Sequence, residues 1–204
     1  MAAHRLSSAH DPMPTNPHHV KPLVLLPIAD GSEELEVLTI YDTLTRGGAD
    51  VVTASVGNKK KNIIEASHGM KIRAMKPIED CVYDRFDLIV LPGGIGASKL
   101  RDCDLLVRML KLQRQEKRYY AAIGQAPAIV FATFDLIHGH ATCHPSKVRF
   151  MGENFVNEEV VVTDQCVTGQ GAGSAMQFAL KLVSLVCSQE EAVEAANQLI
   201  HAAP

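Results

Sequence analysis

The stretch RYYAAIGQAPAIVFAT, residues 118–133, places a continuous apolar run, a glycine and a helix-forming run next to one another. The apolar run has no polar face, which predicts a strand buried on both sides in the interior of a parallel sheet. The segment from Gln125 onward predicts a helix. Gly124 therefore lies at a sharp turn from strand to helix, where glycine adopts positive φ without strain and where some enzymes expose a nucleophile.

Short apolar runs alternate with amphipathic helical patterns along the rest of the chain. This alternation predicts an α/β fold with a mostly parallel sheet between two helical layers. The other predicted strands are PLVLLPIA (22–29), ADVVTASV (49–56), FDLIVLPGG (86–94) and EVVVTDQCVTG (159–169). The other predicted helices lie within 30–48, 104–117, 172–188 and 190–202. Ser32 is expected to cap the first of these helices, and Gly47 and Gly48 to end it.

The length and composition suit one domain with a large core. The chain has 204 residues, of which 47% are hydrophobic and 21% are charged. Residues 1–20, MAAHRLSSAHDPMPTNPHHV, show no hydrophobic periodicity and predict a disordered tail. Residues 21–204 are therefore predicted to form the folded domain.

Charge and cysteine content limit the classes of partner and compartment. A formal charge of −3 provides no broad positive surface for nucleic acid or an anionic membrane. No apolar run reaches the roughly 18 residues that span a bilayer. Five cysteines without a CxxC pair, and no signal-peptide core before them, predict reduced thiols in a cytoplasmic protein.

Loops at the carboxyl ends of parallel strands form the ligand site in sheets of this type. Four predicted loops have this position, and the HATCHPSK segment (140–147) is expected to add a fifth contribution. The four loops are 30–36, 92–98, 124–127 and 169–174.

Five blocks of the sequence resemble successive blocks of the ThiJ/PfpI superfamily, in its Parkinsonism-associated deglycase branch. The blocks are VLLPIADGSEELE, FDLIVLPGG, YAAIGQAPA, ATCHP and GQGAGSAMQFAL, and the resemblance spans about residues 21–188. It implies a flavodoxin-like three-layer sandwich, a homodimer, no cofactor, and a small aldehyde or glycated substrate. Members of the family are associated with methylglyoxal detoxification (glyoxalase III or deglycase), oxidative-stress sensing and chaperone-like activity.

The resemblance also implies roles for individual residues. Glu36 matches the glutamate that hydrogen-bonds the elbow cysteine, although spacing alone would place it on a solvated helix face. His144 matches the active-site histidine, a proton shuttle for an aldehyde, whereas an isolated histidine is more often structural. Gly93 and Gly94 match a turn whose amides bind an oxyanion, and tight packing would also explain both glycines.

The sequence departs from the family at the elbow. The family pattern has a cysteine followed by two small residues and proline, whereas this chain has Gly124, Gln125, Ala126 and Pro127. Without the thiol, cysteine-dependent hydrolysis and cysteine-oxidation sensing at this position are in doubt. The Gln125 amide is still predicted to bind an anion, and its side chain is predicted to enter or cover the pocket.

Other candidate sites carry weaker signals. Cys143 is adjacent to His144 but should point to the opposite face, and Cys166 is predicted to lie in the core, so neither is expected to replace the thiol. His138 and His140 with His144 lack the spacing of a zinc site, and no metal is expected. The GGIGAS loop (93–98) lacks the third glycine of a dinucleotide loop.

Three hypotheses about function follow from these patterns. The first is a cysteine-dependent glyoxalase or deglycase that lacks its nucleophile, so its activity is low or lost. The second is a non-catalytic chaperone-like homodimer on the same scaffold. The third is a small-molecule sensor that uses the surviving anion-binding amides.

Overall fold

The computed structural model describes residues 21–57 and 62–202. The predicted tail, residues 1–20, lies outside the described residues. Within them the strands are β1 (Leu23–Ile28), β2 (Asp50–Ser55), β3 (Ile63–Glu65), β4 (Lys71–Arg73), β5 (Lys76–Pro77), β6 (Leu88–Leu91), β7 (Tyr119–Ile123), β8 (Val160–Thr163) and β9 (Cys166–Gly169). The α-helices are α1 (Glu34–Arg46), α2 (Ala97–Arg101), α3 (Asp104–Gln115), α4 (Ala175–Val186) and α5 (Gln189–Gln198).

Seven of these strands form one sheet in the order β5-β2-β1-β6-β7-β9-β8. All neighbouring pairs are parallel except β8 with β9. The four residues of β6 are all buried because the strand lies between β1 and β7 and is covered on both faces. The predicted mostly parallel sheet, with continuously apolar interior strands, is confirmed.

Helices cover both faces of the sheet. Helices α1, α4 and α5 pack on one face, where Ile40, Leu44 and Phe178 are fully buried in one apolar cluster. Helices α2 and α3 cover the other face, where Leu110 and Phe131 belong to a second cluster. The three-layer α/β sandwich expected from the sequence is therefore confirmed. In the part of the chain that the structure describes, no helix has the length and apolarity to cross a membrane.

The segment EVVVTDQCVTG is a hairpin, whereas the sequence predicted one strand. Strands β8 and β9 pair antiparallel from Val160 opposite Gly169 to Thr163 opposite Cys166. Asp164 turns the chain with a φ of +53°, a conformation that aspartate tolerates better than most residues. Only β9 continues the parallel sheet, by pairing with β7.

Local structure also differs from prediction at the start of two helices. Helix α1 begins at Glu34, and Ser32 does not cap it; the Ser32 hydroxyl instead accepts a hydrogen bond from the Ala29 amide at 3.0 Å. The helix predicted from Gln125 becomes a short π-helical turn over Pro127–Phe131. The Ala132 amide there donates to the Pro127 carbonyl, five residues back. The predicted end of α1 is confirmed, because the helix stops at Arg46 and Gly47 follows.

Candidate functional site

A cavity of about 500 Å³ lies beyond the carboxyl ends of the central strands. All five segments predicted to carry the site contribute to its wall. The lining residues are Glu33, Glu36, Gly94, Gly124, Gln125, His144, Pro145, Glu159, Gln170, Gly171, Ala172, Gly173 and Ser174.

Gly124 forms the elbow after β7 and has a φ of +65°. Its amide donates to the Gly169 carbonyl at the end of β9, at 3.1 Å. Its carbonyl accepts from the His144 amide at 2.7 Å. These two bonds hold the elbow between the neighbouring strand and the segment that carries His144, so the positive φ expected from the sequence is fixed by backbone on both sides.

Glu36 lies in the first turn of α1 and is 2% exposed. Its Oε2 accepts a hydrogen bond from the Gly93 amide at 2.6 Å. Burial raises the pKa of the Glu36 carboxyl to about 7; the Gly93 hydrogen bond opposes this rise, and the nearby charge of Glu33 adds to it. Glu36 is therefore a carboxyl group that holds or releases its proton near neutral pH.

The Glu36 carboxyl occupies the space where an elbow side chain would begin. A Cβ atom built on Gly124 would lie 2.6 Å from Oε1 and 3.2 Å from Oε2 of Glu36. Real Cβ contacts are longer, so any larger residue at position 124 requires this carboxyl to move. With glycine at the elbow, the carboxyl thus occupies the space in which a cysteine side chain would begin.

The turn after β6 is built closely around two glycines. Gly94 has a φ of +80°, and a Cβ there would collide with the Gly31 carbonyl oxygen and lie 2.6 Å from Ser67 Oγ. The Gly93 amide, predicted to bind an oxyanion, is already used by Glu36. Among the described residues, the amides of Gly94 and Gln125 donate to no acceptor. These two donors remain for a ligand.

His144 has an exposed side chain at the cavity wall. Its Nδ1 lies 2.8 Å from the Ser146 hydroxyl. On the other side, the nearest heavy atom to a Cβ built on Gly171 would be Cδ2 of the His144 ring, at 3.6 Å. The ring is thus held between Ser146 and the loop after β9, in the same cavity as Glu36.

Comparison with known proteins identifies the family. The family model described as the DJ-1/PfpI family matches residues 22–185. The chain belongs to the DJ-1/PfpI family.

Individual relatives agree with this assignment. The chain is 39% identical over 181 residues to Protein DJ-1 homolog B of Arabidopsis thaliana, covering 87% of this chain and 41% of that protein. It is 32% identical over 181 residues to Glutathione-independent glyoxalase DJR-1.2 of Caenorhabditis elegans, covering 87% of this chain and 92% of that protein. The structure of oxidized Toxoplasma gondii DJ-1 superposes with a TM-score of 0.85 at 36% identity, over 89% of this chain and 99% of that one.

Coverage differs among the relatives. The chain spans less than half the length of the two Arabidopsis relatives, 41% of homolog B and 46% of homolog A. Nearly the whole length of the Caenorhabditis elegans protein is matched.

Cys143 and Cys166, the two cysteines weighed as replacements for the elbow thiol, are core residues. Cys143 is fully buried, and burial raises the pKa of its thiol to about 11. Cys166 is buried in β9, and burial raises its pKa to about 12. A thiol with such a pKa is almost entirely protonated at neutral pH and is a poor nucleophile. The predicted core position of Cys166 is confirmed, and Cys143 is buried while its neighbour His144 is exposed, as expected for residues that point to opposite faces.

Two acidic residues of the cavity are not among the site residues that the sequence predicted. Glu33 lines the cavity beside Glu36, although the family motif points only to Glu36. Glu159 precedes β8 and reaches the cavity because β8 runs antiparallel, a direction that the apolar pattern does not reveal. Both residues add negative charge to a site predicted to bind an anion.

The two histidines that precede His144 lie at the surface. His138 and His140 are exposed and belong to no cluster of potential metal ligands among the described residues. Elsewhere in the described part of the chain, Glu33, Glu34 and His68 form such a cluster, with ligand atoms that all lie within 4.8 Å of one another. His68 is exposed, and its Nδ1 is 3.2 Å from Glu34 Oε2, so two of these three side chains already contact each other.

Proposed function

We propose that this chain is a DJ-1-like stress-response protein that binds small aldehydes or glycated groups in the cavity around Glu36. Its cysteine-dependent glyoxalase or deglycase activity is low or lost. The observation that carries this proposal is the position of the Glu36 carboxyl, 2.6 Å from where a Cβ of residue 124 would lie. The names of two relatives support the substrate class: the Caenorhabditis elegans glyoxalase and a deglycase of Pyrococcus abyssi at 28% identity.

The site contains the parts that would position a carbonyl compound but lacks the group that would attack it. The Gly94 and Gln125 amides can hold a carbonyl oxygen, because backbone donors need no particular side chain. His144 can exchange protons with the bound molecule. A covalent intermediate requires a nucleophile, and positioning without one supplies only part of the rate.

Free amides in an open cavity also favour a second candidate function. A small-molecule sensor needs binding without turnover, and the Gly94 and Gln125 amides meet that need. On this proposal the family scaffold acts as a homodimer that reports a bound carbonyl compound or carboxylate.

Methylglyoxal turnover by four forms of the chain tests the proposal. The unmodified chain and Gly124→Ala should show little activity, whereas Gly124→Cys should gain it. Alanine and cysteine both place a Cβ against Glu36, so the difference between them reports what the sulfur adds. Gln125→Ala combined with Gly124→Cys restores a small residue beside the elbow and should be the most active. Equal turnover by the unmodified chain and Gly124→Cys would refute the proposal.

Binding is measured separately by adding methylglyoxal to the unmodified chain and following backbone amide resonances by NMR. We expect the resonances of Gly94 and Gln125 to shift. If neither shifts at millimolar methylglyoxal, the cavity does not bind the aldehyde, and both candidate functions fail.

A further inference from the structure

Without an elbow side chain, the Glu36 carboxyl is the acid–base group that a bound molecule meets. Its Oε2 is anchored by the Gly93 amide. Its Oε1 has no hydrogen-bond partner among the described residues and lies at the start of the space that an elbow side chain would fill. Both Glu36 and Gly124 line the cavity. A carboxyl oxygen is thus presented directly to the ligand.

The free amide of the elbow lies close to this carboxyl. A Cβ built on Gly93 would be 2.8 Å from the Gln125 amide nitrogen and 2.8 Å from Glu36 Oε2. The Gln125 amide and the Glu36 carboxyl therefore lie next to the same position. A carbonyl oxygen held by the amide places its neighbouring carbon near the carboxyl, which is the arrangement required for removing a proton next to a carbonyl.

We propose that this site catalyses proton transfer at carbon, with Glu36 as the base, on small compounds that carry a hydroxyl group next to a carbonyl group. The inference rests on the proposed function, because the same cavity must bind the carbonyl compound. It goes beyond that function, because no covalent bond to the protein forms.

The step balances within the bound molecule and one side chain. The Glu36 carboxylate takes the hydrogen on the carbon next to the carbonyl as a proton. The C–H electron pair becomes the carbon–carbon double bond of an enediolate, and the carbonyl π pair moves to the oxygen held by the Gln125 amide. The carboxyl then returns a proton, either the same one or one exchanged with solvent, to the same carbon or to the former carbonyl carbon. The second outcome, together with transfer of the hydroxyl proton to the former carbonyl oxygen, isomerises the compound, and neither outcome needs an oxidant or a reductant.

Deuterium exchange tests the inference without any coupled enzyme. Dihydroxyacetone is incubated with the protein in D₂O, and loss of its CH₂ signal is followed by proton NMR. We expect the unmodified chain to exchange the signal at least tenfold faster than Glu36→Gln, which keeps an acceptor for the Gly93 amide but cannot take a proton. Asp42→Asn, an acid-to-amide change on the outer side of the same helix, should exchange like the unmodified chain.

A second variant keeps the test valid if Glu36→Gln fails to fold. Gly124→Ala retains the Glu36 carboxyl but places a methyl group where that carboxyl now lies. This variant should also slow exchange several-fold. Exchange by the unmodified chain at the buffer rate, or at the same rate in Glu36→Gln, overturns the inference. Shifts of the Gly94 and Gln125 amides with methylglyoxal but no dihydroxyacetone exchange would overturn the inference alone. Absence of those shifts would overturn the proposed function as well.

Discussion

The buried carboxyl of Glu36 makes the stability of the fold depend on pH. Its pKa is about 7 in the folded chain, against 4.5 for an unperturbed glutamate. The folded state therefore holds this proton more tightly than the unfolded state. The contribution of Glu36 to stability is fully present below about pH 4.5 and is lost as the pH rises through about 7.

We therefore predict that the unmodified chain loses stability relative to Glu36→Gln as the pH rises from about 5 to about 8. The loss should be roughly 1–3 kcal/mol, because one pKa unit corresponds to about 1.4 kcal/mol. Urea unfolding of both proteins across this range measures it. Subtracting the variant's curve removes the effect of all other titrating groups. A constant difference between the two proteins would show that Glu36 titrates normally.

Glu36 and Gly124 also show how far the sequence could predict the site. The motif around each residue placed both at the same end of the sheet, and the structure brings them together. The motifs could not show that the carboxyl lies in the space of the absent side chain, since this depends on the Gly93 hydrogen bond and the exact path of the elbow. They also gave no sign that the Gly93 amide is already engaged.

Among the elements, the packing of α1 against α4 depends on one glycine. A Cβ on Gly47, just after α1, would collide with Val183 Cγ1 of α4 and lie 2.7 Å from Cγ2. Gly47 has a φ of −74°, so alanine there meets no backbone strain. Glycine is therefore required here by the close approach of α1 to α4 and not by the backbone conformation of residue 47.

We predict that Gly47→Ala lowers the free energy of unfolding by about 1–3 kcal/mol through overpacking. Val183→Ala should also destabilise, because Val183 is fully buried. The loss of stability in the double variant should be smaller than the sum of the two single losses by about 1 kcal/mol or more, because the added methyl enters the space that the valine leaves. Denaturant unfolding of the four proteins gives this coupling, and simple additivity would contradict it.

The sequence predicted the strands correctly where burial determines the pattern of apolar residues. The apolar runs of β6 and β7 have no polar face, and they are interior strands. The hairpin of β8 and β9 was missed because its two-residue turn, Asp164 and Gln165, lacks the glycine that usually marks such a turn. An unbroken apolar pattern then resembles one long strand.

At the scale of the whole molecule, the homodimer implied by the family resemblance stays a prediction. The outer side of α1 carries two exposed leucines, Leu35 at 49% and Leu38 at 44%. Exposed apolar side chains on one helix are suited to an interface between copies. We predict that the chain sediments as a dimer at micromolar concentration and that Leu35→Glu shifts it toward the monomer.

Leu112→Glu is the matched control, because Leu112 on α3 is similarly exposed at 46%. Its dimer should persist. A monomeric unmodified chain, or equal behaviour of the two glutamate variants, would exclude α1 as the interface.

The strand order has a consequence for how the chain is made. Strand β7 ends at Ile123, yet β9, which lies along its far edge, begins only at Cys166. During ribosomal synthesis this edge of the apolar strand β7 therefore stays unpaired until β9 has been made. An unpaired strand edge can pair with other chains. The Gly169 carbonyl, which accepts a hydrogen bond from the Gly124 amide, is also synthesised late. The cavity is thus completed only after both β7 and β9 have been made, and a nascent chain has an open sheet before it has a site.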